Sequence, residues 1–167
     1  MYKRQIFGRE DKFLNLFATL AHWLPVIPLA GARARFQPIF VGDVATCFAH
    51  ALVDDDTIGH RYQLCGPTVY TLGELARYVA ETSGRPRLVV PLGAALSNLQ
   101  ARVMEWLPGP LLTRDNLASM QHDNVCDGPF PAQFGITPTA LESIAPQYLA
   151  PLSRNSHFDL FRAHGGR

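Results

Sequence analysis

The fold is decided by the stretch "RFQPIFVGDVATCFAHAL", residues 35–52, in which a short apolar run leads through a Gly-Asp step into a helical pattern. The run "FQPIFV" is too short for a helix and rich in β-forming residues, and Pro38 is typical of an edge strand or a strand start. Asp43 stands where a helix N-cap is expected. The apolar residues that follow at helical spacing are Val44, Cys47, Phe48, Ala51 and Leu52. The stretch therefore predicts a strand that turns directly into a helix.

The neighbouring segments continue this alternation of strands and helices. "KFLNLFATLAHWL", residues 12–24, has apolar residues at helical spacing and is stopped by Pro25, after which "PVIPLAGARA" is expected to be a loop. "RYQLCG", residues 61–66, predicts a strand, and Thr71 and Glu74 then form the T-x-x-E capping box of a helix. This alternation is typical of an α/β protein.

The second half of the chain shows the same pattern. "RLVVPL", residues 87–92, predicts a strand, and "ALSNLQARVMEWL", residues 95–107, predicts a helix. Two shorter helices are predicted, one over residues 113–121 and one that opens at Thr139, with Glu142 three residues on.

The charge balance excludes several kinds of partner. The sequence has 15 basic and 14 acidic residues, a formal net charge of +1, and no run of Lys or Arg that could follow a phosphate backbone. Nucleic acid is therefore not an expected partner. No apolar run approaches the roughly 18 residues that a membrane-spanning helix needs. We expect a soluble protein that is at most peripheral to a membrane.

Motifs that would carry chemistry are missing. None of the 13 glycines forms G-x-G-x-x-G or G-x-x-G-x-x-G, so this sequence contains no dinucleotide-binding turn. No Tyr is followed four residues later by Lys, and no Walker loop, G-x-S-x-G or His pair at metal-binding spacing occurs. The sequence therefore predicts no catalytic residue and no metal ligand.

The remaining candidate residues have structural explanations. Cys47, Cys65 and Cys126 are odd in number, far apart and without a C-x-x-C pair, so we expect buried free thiols rather than disulfides or a zinc site. His50 is expected at a helix end rather than as a general base. The acidic run 54–56 is expected to be a solvated loop.

Three segments nevertheless resemble one family, in the same order. "IFGREDKF", residues 6–13, resembles the segment after the catalytic helix of extended short-chain dehydrogenase/reductases, where apolar residues lead into Tyr/Phe-Gly. "FQPIFVGDVATCFAHAL" resembles the family's strand of type x-P-V-H-V-D-D-V-A-x-A, and "RYQLCGPTVYTLGELARYVAETSGRP" resembles its next strand and capped helix. Within this superfamily of NAD-dependent epimerases and dehydratases, "LPGPLLTRDNLASMQHDNV" and "FGITPTALESIAPQYL" are similar to the atypical branch around complex I alpha-subcomplex subunit nine. The resemblance covers residues 6–150.

The resemblance implies an α/β fold, namely the carboxy-terminal part of an NAD(P)-binding Rossmann-like protein. It would hold the last strands of the parallel sheet and a small α+β substrate domain, while the nucleotide-binding glycines and any Tyr/Lys pair would lie upstream in a longer parent. Residues 1–5, "MYKRQ", stand where the family has Arg-Pro and are expected to be a non-native start. Residues 6–150 would form the domain, and residues 151–167 a flexible tail.

The resemblance also assigns roles to site residues. The residues that would bind the cofactor, at the nicotinamide end of the cleft, are Ile6, Phe7 and Gly8. The residues that would face the substrate are Arg9, Phe13, Phe36 and Gln37. Asp43 would be a structural helix cap rather than a reacting group. The parent would hold NAD(P)H, whereas this fragment alone is expected to bind no cofactor.

Two functions follow from the resemblance. The favoured one is a nucleotide-holding or assembly role in respiratory or quinone metabolism, in a protein that docks on a respiratory complex or contacts the membrane peripherally. The alternative is an active NAD(P)-dependent oxidoreductase or nucleotide-sugar epimerase-like enzyme with a small or isoprenoid-linked substrate, whose Gly-rich turn and Tyr/Lys pair lie upstream. A third interpretation, an independent small α/β domain without a cofactor, requires the match to be accidental. The expected location is cytoplasmic, including the periphery of the inner membrane.

Overall fold

The computed structural model describes residues 5–93, 95–97 and 123–150, and its elements alternate between strands and helices. The strands are β1 (Ile6–Phe7), β2 (Val26–Leu29), β3 (Arg35–Phe36), β4 (Ile39–Phe40), β5 (Tyr70–Thr71) and β6 (Leu88–Pro91). The helices are α1 (Lys12–Trp23), α2 (Val41–Ala51), α3 (Leu72–Thr82) and α4 (Leu141–Leu149), with short 3-10 turns at Asp55–Thr57 and Ala132–Phe134. The predicted helix over 113–121, most of the one over 95–107, and the predicted tail 151–167 lie outside the described residues.

The described strands form three short pairs. β1 pairs with β4 and β2 pairs with β6, both in parallel, while β3 and β5 are antiparallel. Parallel strands joined through helices are the defining feature of the α/β class. The predicted fold class is therefore confirmed.

α1 is positioned by its cap and by its apolar face. The Asp11 carboxylate accepts the backbone N–H of Phe13 at 2.8 Å and of Leu14 at 3.0 Å, which satisfies two free donors at the helix start. The helix ends before Pro25, as the sequence predicts. Its buried residues, which pack toward α3, are Leu14, Phe17, Ala18 and Ala21.

α3 begins at the capping residues that the sequence predicts. The Thr71 hydroxyl accepts the Glu74 N–H at 3.2 Å, and the Glu74 carboxylate accepts the Thr71 N–H at 2.7 Å, so the capping box is confirmed. Gly84 follows the C-cap Ser83 with a φ of 71°, a left-handed conformation that favours glycine. The core lies between α1, α3 and α4. Its largest fully buried apolar members include Phe7, Leu14, Ile27, Leu72, Leu75, Val79 and Leu149.

Three strand and loop predictions were wrong. The expected loop over 25–34 contains β2. The expected strand "FQPIFV" is divided into β3 and β4 on either side of Gln37 and Pro38, because proline has no N–H to donate to a strand partner. Residues 61–66, expected to be a strand, have no regular secondary structure and are held by side-chain bonds instead.

α2 is less buried than its sequence pattern predicted. Of its residues only Cys47 is buried, while Phe48 and the C-cap Leu52 are 68% and 86% exposed. The apolar periodicity identified the helix correctly but carries no information about what covers each side of it.

The prediction that Asp43 caps α2 was wrong. β4 runs straight into the helix, so the N-cap position is Phe40 and Asp43 already lies in the first helical turn. Its carboxylate instead accepts the Thr139 backbone N–H at 2.6 Å and the Thr139 hydroxyl at 3.0 Å. The helix expected to open at Thr139 therefore begins later, at Leu141, and Thr139 serves as a tie between distant parts of the chain.

The expectation of free thiols was wrong for two of the cysteines. Cys65 and Cys126 form a disulfide with their Cα atoms 6.3 Å apart, and Cys47 is the buried free thiol. The two bonded cysteines are separated by 61 positions, so only the fold brings them within bonding range.

Candidate functional site

The candidate site lies at the edge where the β1–β4 pair ends. The two strands are parallel, with Phe7 beside Phe40, so their carboxyl ends meet at the same edge. A Cβ added to Gly8, directly after β1, would lie 2.8 Å from Cγ1 of Val41, directly after β4. Glycine at position 8 therefore accommodates Val41 without displacing it.

The three residues predicted to line the nicotinamide differ in accessibility. Ile6 is 45% exposed, whereas Phe7 and Gly8 are buried. The Phe7 ring packs against the Phe40 ring, with centroids 5.7 Å apart. The Phe7 side chain thus belongs to the core, and the Ile6 side chain and the turn at Gly8 form the edge itself.

The turn after Gly8 is closed by hydrogen bonds. The Asp11 N–H donates to the Gly8 carbonyl at 3.0 Å, and Arg9 is exposed within the turn. Burial raises the pKa of the Asp11 carboxyl, while the hydrogen bonds from the Phe13 and Leu14 N–H groups act in the opposite direction. The Asp11 carboxylate accepts the N–H groups at the start of α1, so its role here is structural.

The structure brings two of the four predicted substrate-side residues together. The rings of Phe13 and Phe36 have centroids 5.7 Å apart, and Phe13 also meets Phe17 edge-on at 5.2 Å. Such aromatic pairs stabilise by about 0.5–1.5 kcal/mol beyond their buried area. They join the first turn of α1 to β3 as an apolar wall.

Gln37, the fourth predicted substrate-side residue, is held by the protein itself. Its Nε2 donates to the Gly66 carbonyl at 2.8 Å, and its Oε1 accepts the Cys126 N–H at 3.0 Å. A Cβ at Gly66 would overlap the Pro38 carbonyl oxygen, so glycine is required for this close approach of two backbones. The Gln37 carboxamide therefore joins the two segments that carry the disulfide.

Sequence reasoning missed a second group of contacts, which holds residues 123–127 beside β3. Arg35 donates from Nη2 and Nε to Asp123 Oδ2 at 2.7 and 2.9 Å, and Gln63 and Asp127 exchange two hydrogen bonds at 3.0 and 3.1 Å. The hydrogen bond from Arg35 lowers the pKa of Asp123. These partners lie 88 and 64 positions apart, so no local signal could have identified them.

A third group, also missed, lies between α3, α4 and the start of α1. The Tyr70 hydroxyl donates to Glu142 Oε1 at 2.6 Å, and burial together with this bond raises the pKa of Tyr70 to about 12. Burial, and then the charge of Asp11, raise the pKa of Tyr148, whose hydroxyl has no hydrogen-bond partner among the described residues. Both hydroxyls therefore stay protonated at neutral pH and act as hydrogen-bonding groups rather than bases.

The histidine and acidic candidates do not assemble a metal site. His50 Nδ1 lies 3.6 Å from the Asp54 carboxylate, and its ring packs edge-on against Phe134. Across residues 5–93, 95–97 and 123–150, no group of three or more His, Cys, Asp or Glu side chains could hold a metal ion. Over the same ranges, none of the helices has the length and apolar character needed to cross a membrane.

Comparisons with known proteins give sequence relatives over most of the chain. No protein-family model matches it. The chain is 32% identical to the NADH dehydrogenase (ubiquinone) 1 alpha subcomplex subunit 9 of Rattus norvegicus and 31% identical to that of Mus musculus, each over 142 residues, or 82% of this chain and 37% of the relative. It is 28% identical over 159 residues to the NADH-ubiquinone oxidoreductase 40 kDa subunit of Neurospora crassa, covering 93% of this chain and 41% of that protein. The chain thus spans less than half the length of these relatives.

Two solved structures share the fold. A dTDP-4-dehydrorhamnose reductase from Bacillus anthracis, in complex with NADP, superposes with a TM-score of 0.55 at 10% identity, covering 88% of this chain and 44% of that one. A nucleoside-diphosphate-sugar epimerase from Staphylococcus aureus superposes with a TM-score of 0.51 at 20% identity, covering 83% of this chain and 46% of that one.

The parallel β1–β4 edge and the shared fold define an α/β protein of the Rossmann type found in NAD(P)-binding reductases and epimerases. The sequence relatives narrow this class. The chain belongs to the short-chain dehydrogenase/reductase-like family that includes complex I alpha-subcomplex subunit 9. The resemblance carried by the three sequence segments is therefore confirmed.

Proposed function

We propose that this chain is the substrate-side part of an NAD(P)-holding subunit, in which the nucleotide supports assembly rather than turnover. The observation that carries the proposal is the composition of the β1–β4 edge. The exposed side chains at the two strand ends are the apolar Ile6 and Val41, and the turn after β1 adds the exposed Arg9 and Glu10. Neither Ile6 nor Val41 can transfer a proton, so the strand ends can bind and orient a ligand, while a Tyr/Lys pair for the reaction would have to come from elsewhere.

The same edge fits the nicotinamide end of a dinucleotide. Ile6 offers an apolar surface for a flat ring, and the glycine at position 8 keeps the turn beside it compact. Phe13 and Phe36 would form the apolar wall on the substrate side, with Gln37 holding that wall in place. When bound, the cofactor would supply hydride chemistry, and the protein its placement.

The proposal includes a further, nucleotide-binding part of the same protein that covers α2. The region that matches this chain makes up only 37% of each rodent protein, so those proteins are more than twice as long as the region. Parallel sheets normally have both faces covered, and α2 follows β4 with Phe48 and Leu52 exposed. Residues 6–150 would then form the substrate-side unit of the larger protein.

The proposed partners follow from the names of the relatives. Those proteins are named as NADH dehydrogenase (ubiquinone) subunits and as mitochondrial, which supports a respiratory complex as the assembly and the periphery of an energy-converting membrane as the place. A small or isoprenoid-linked molecule would occupy the substrate side.

The experiment is a calorimetric titration of NADH and NADPH into this chain and into the longer product of the same gene. We expect the longer product to bind and the chain alone not to bind. In the longer product, Ile6→Glu should weaken binding about tenfold, because it places a charge against the nicotinamide ring. Ile58→Glu, at an exposed apolar residue elsewhere, is the matched control and should bind as the wild type does.

Two results would contradict the proposal. A longer product that binds neither nucleotide would remove the nucleotide role. Steady turnover that is lost when an upstream Tyr is replaced by Phe would establish the alternative, an active oxidoreductase or epimerase-like enzyme.

A further inference from the structure

The β2–β6 pair has one buried and one exposed face. Ile27, Leu29 and Val89 are buried in the core. The opposite side carries exposed residues, and the register places Val26 beside Leu88 and Pro28 beside Val90. These four residues, Val26, Pro28, Leu88 and Val90, are the outer sheet face. An exposed apolar face is unusual for a parallel pair, which is normally covered on both sides.

A tryptophan flanks the outer sheet face in the chain. Trp23, at the end of α1 and three positions before Val26, is 77% exposed, and Leu88 on the face itself is 66% exposed. Tryptophan has an apolar body and a polar N–H, so it suits a boundary between water and an apolar phase.

Two arginines stand at the same end of the pair. Arg85 Nη1 donates to the His22 carbonyl at 3.2 Å, and Arg87 Nε donates to the Ala21 carbonyl at 3.0 Å, so both guanidinium groups lie at the carboxyl end of α1, the helix that ends with Trp23. In the described part of the chain, neither arginine forms an ion pair; the two pairs found there involve Arg35 and His50. No carboxylate among the described residues therefore neutralises their positive charges, although both side chains are half-buried and Nε of Arg85 is buried without a hydrogen-bond partner.

We propose that the outer sheet face, together with Trp23, Arg85 and Arg87, docks on an anionic membrane surface. The apolar residues would enter the boundary between headgroups and acyl chains, while the arginines attract the anionic headgroups. A membrane can accept the apolar residues and the two arginines without a complementary shape. The positive charges of Arg85 and Arg87 favour anionic lipids over neutral ones. The docking does not depend on the proposed nucleotide role.

The test is co-sedimentation of the full chain with phosphatidylcholine vesicles that contain or lack phosphatidylglycerol. We expect binding to the anionic vesicles that weakens as salt is added. The double variant Arg85→Gln/Arg87→Gln should lower the partition coefficient about 25-fold, or about fivefold for each charge, and Gln keeps an N–H to donate to α1. Leu88→Ser should lower it by about tenfold.

Matched controls lie on the α2 side of the molecule. Leu52→Ser removes a leucine that is more exposed than Leu88, and Arg61→Gln removes an exposed arginine, so neither should change the partition coefficient. In a Trp106→Phe background, the emission of Trp23 should shift to shorter wavelength when anionic vesicles are added. Thermal unfolding of every variant separates loss of binding from loss of fold.

Three outcomes would overturn the proposal. The first is equal binding to neutral and anionic vesicles, and the second is an equal loss of binding in the control variants. The third is no vesicle binding by the folded wild type, together with self-association that Leu88→Ser abolishes, which would make the outer sheet face a protein interface.

Discussion

The α1 side and the α2 side of the molecule are held together in different ways. α1 packs toward α3, with Leu14 fully buried. The α2 side, residues 37–66 with 123–139, buries little of its helix and is tied by the Asp43–Thr139 bonds, the Gln37 carboxamide and the Cys65–Cys126 disulfide. Apolar packing spreads stability over many small contacts, whereas ties concentrate it in few groups. The two sides should therefore fail under different mutations.

The largest expected effect is the loss of the disulfide on the α2 side. Replacing Cys65 and Cys126 together by Ser should lower the free energy of unfolding by about 4 kcal/mol, because the bond closes a long loop and restricts the unfolded chain. Urea unfolding measures the change. Dithiothreitol should bring the wild type to the same stability and leave the variant unaffected; equal stability of variant and oxidised wild type would contradict the prediction.

A core substitution on the α1 side should rank next. Leu14→Ala should cost about 3 kcal/mol, because it removes a fully buried side chain and leaves a cavity. Phe48→Ala on α2 removes a larger but exposed side chain and should change stability by less than about 0.5 kcal/mol. If the two variants lost similar stability in urea, the contrast between the two sides would be wrong.

The Asp43–Thr139 tie tests whether the α2 side depends on single polar pairs. Asp43→Ala should cost about 2 kcal/mol through loss of two hydrogen bonds to a carboxylate. A double-mutant cycle with Thr139→Ala should give a coupling of about 1 kcal/mol, whereas Asp11→Ala, which removes only a local cap, should be additive with Thr139→Ala. Additivity of Asp43→Ala with Thr139→Ala would assign Asp43 a purely local role instead.

The smallest expected effect concerns pH and Tyr70. Its pKa is raised from 10.0 to about 12 in the folded protein, so the fold favours the protonated hydroxyl. The resulting stabilisation is complete below pH 10 and is lost as the pH rises from 10 towards 12. The stability difference between wild type and Tyr70→Phe should therefore shrink across this window in thermal unfolding. If the stability difference between wild type and Tyr70→Phe stayed constant from pH 10 to 12, ionisation of the Tyr70 hydroxyl would not affect stability, and the prediction would be wrong.

The fold features that the sequence predicted are those with local causes. The capping box of Thr71 and Glu74, the end of α1 at Pro25 and the strand in 87–92 depend on residues within about four positions of one another. The missed features, β2 and the irregular segment 61–66, depend on partners far along the chain. β2, for example, pairs with β6, whose register begins with Leu88 opposite Val26.

The candidate site divides in the same way. The family resemblance predicted a cofactor edge at the β1 turn and four substrate-side residues, of which Phe13 and Phe36 are in contact with each other. It did not indicate that the Gln37 carboxamide forms hydrogen bonds with the backbone of Gly66 and Cys126. The type of a polar residue shows that it can form hydrogen bonds but not with which distant residue, so its partners are known only from the folded backbone.

By itself, the sequence determined the alternation of elements, the α/β class, the local caps of α3 and the family, because periodicity, capping residues and short motifs act over a few neighbouring residues. Only the tertiary structure decided which apolar faces are buried and which residues are tied across the fold. Asp43 shows the reason most clearly: its type and position suggested a helix cap, but the point where β4 ends placed it inside the first turn, facing a threonine 96 positions away.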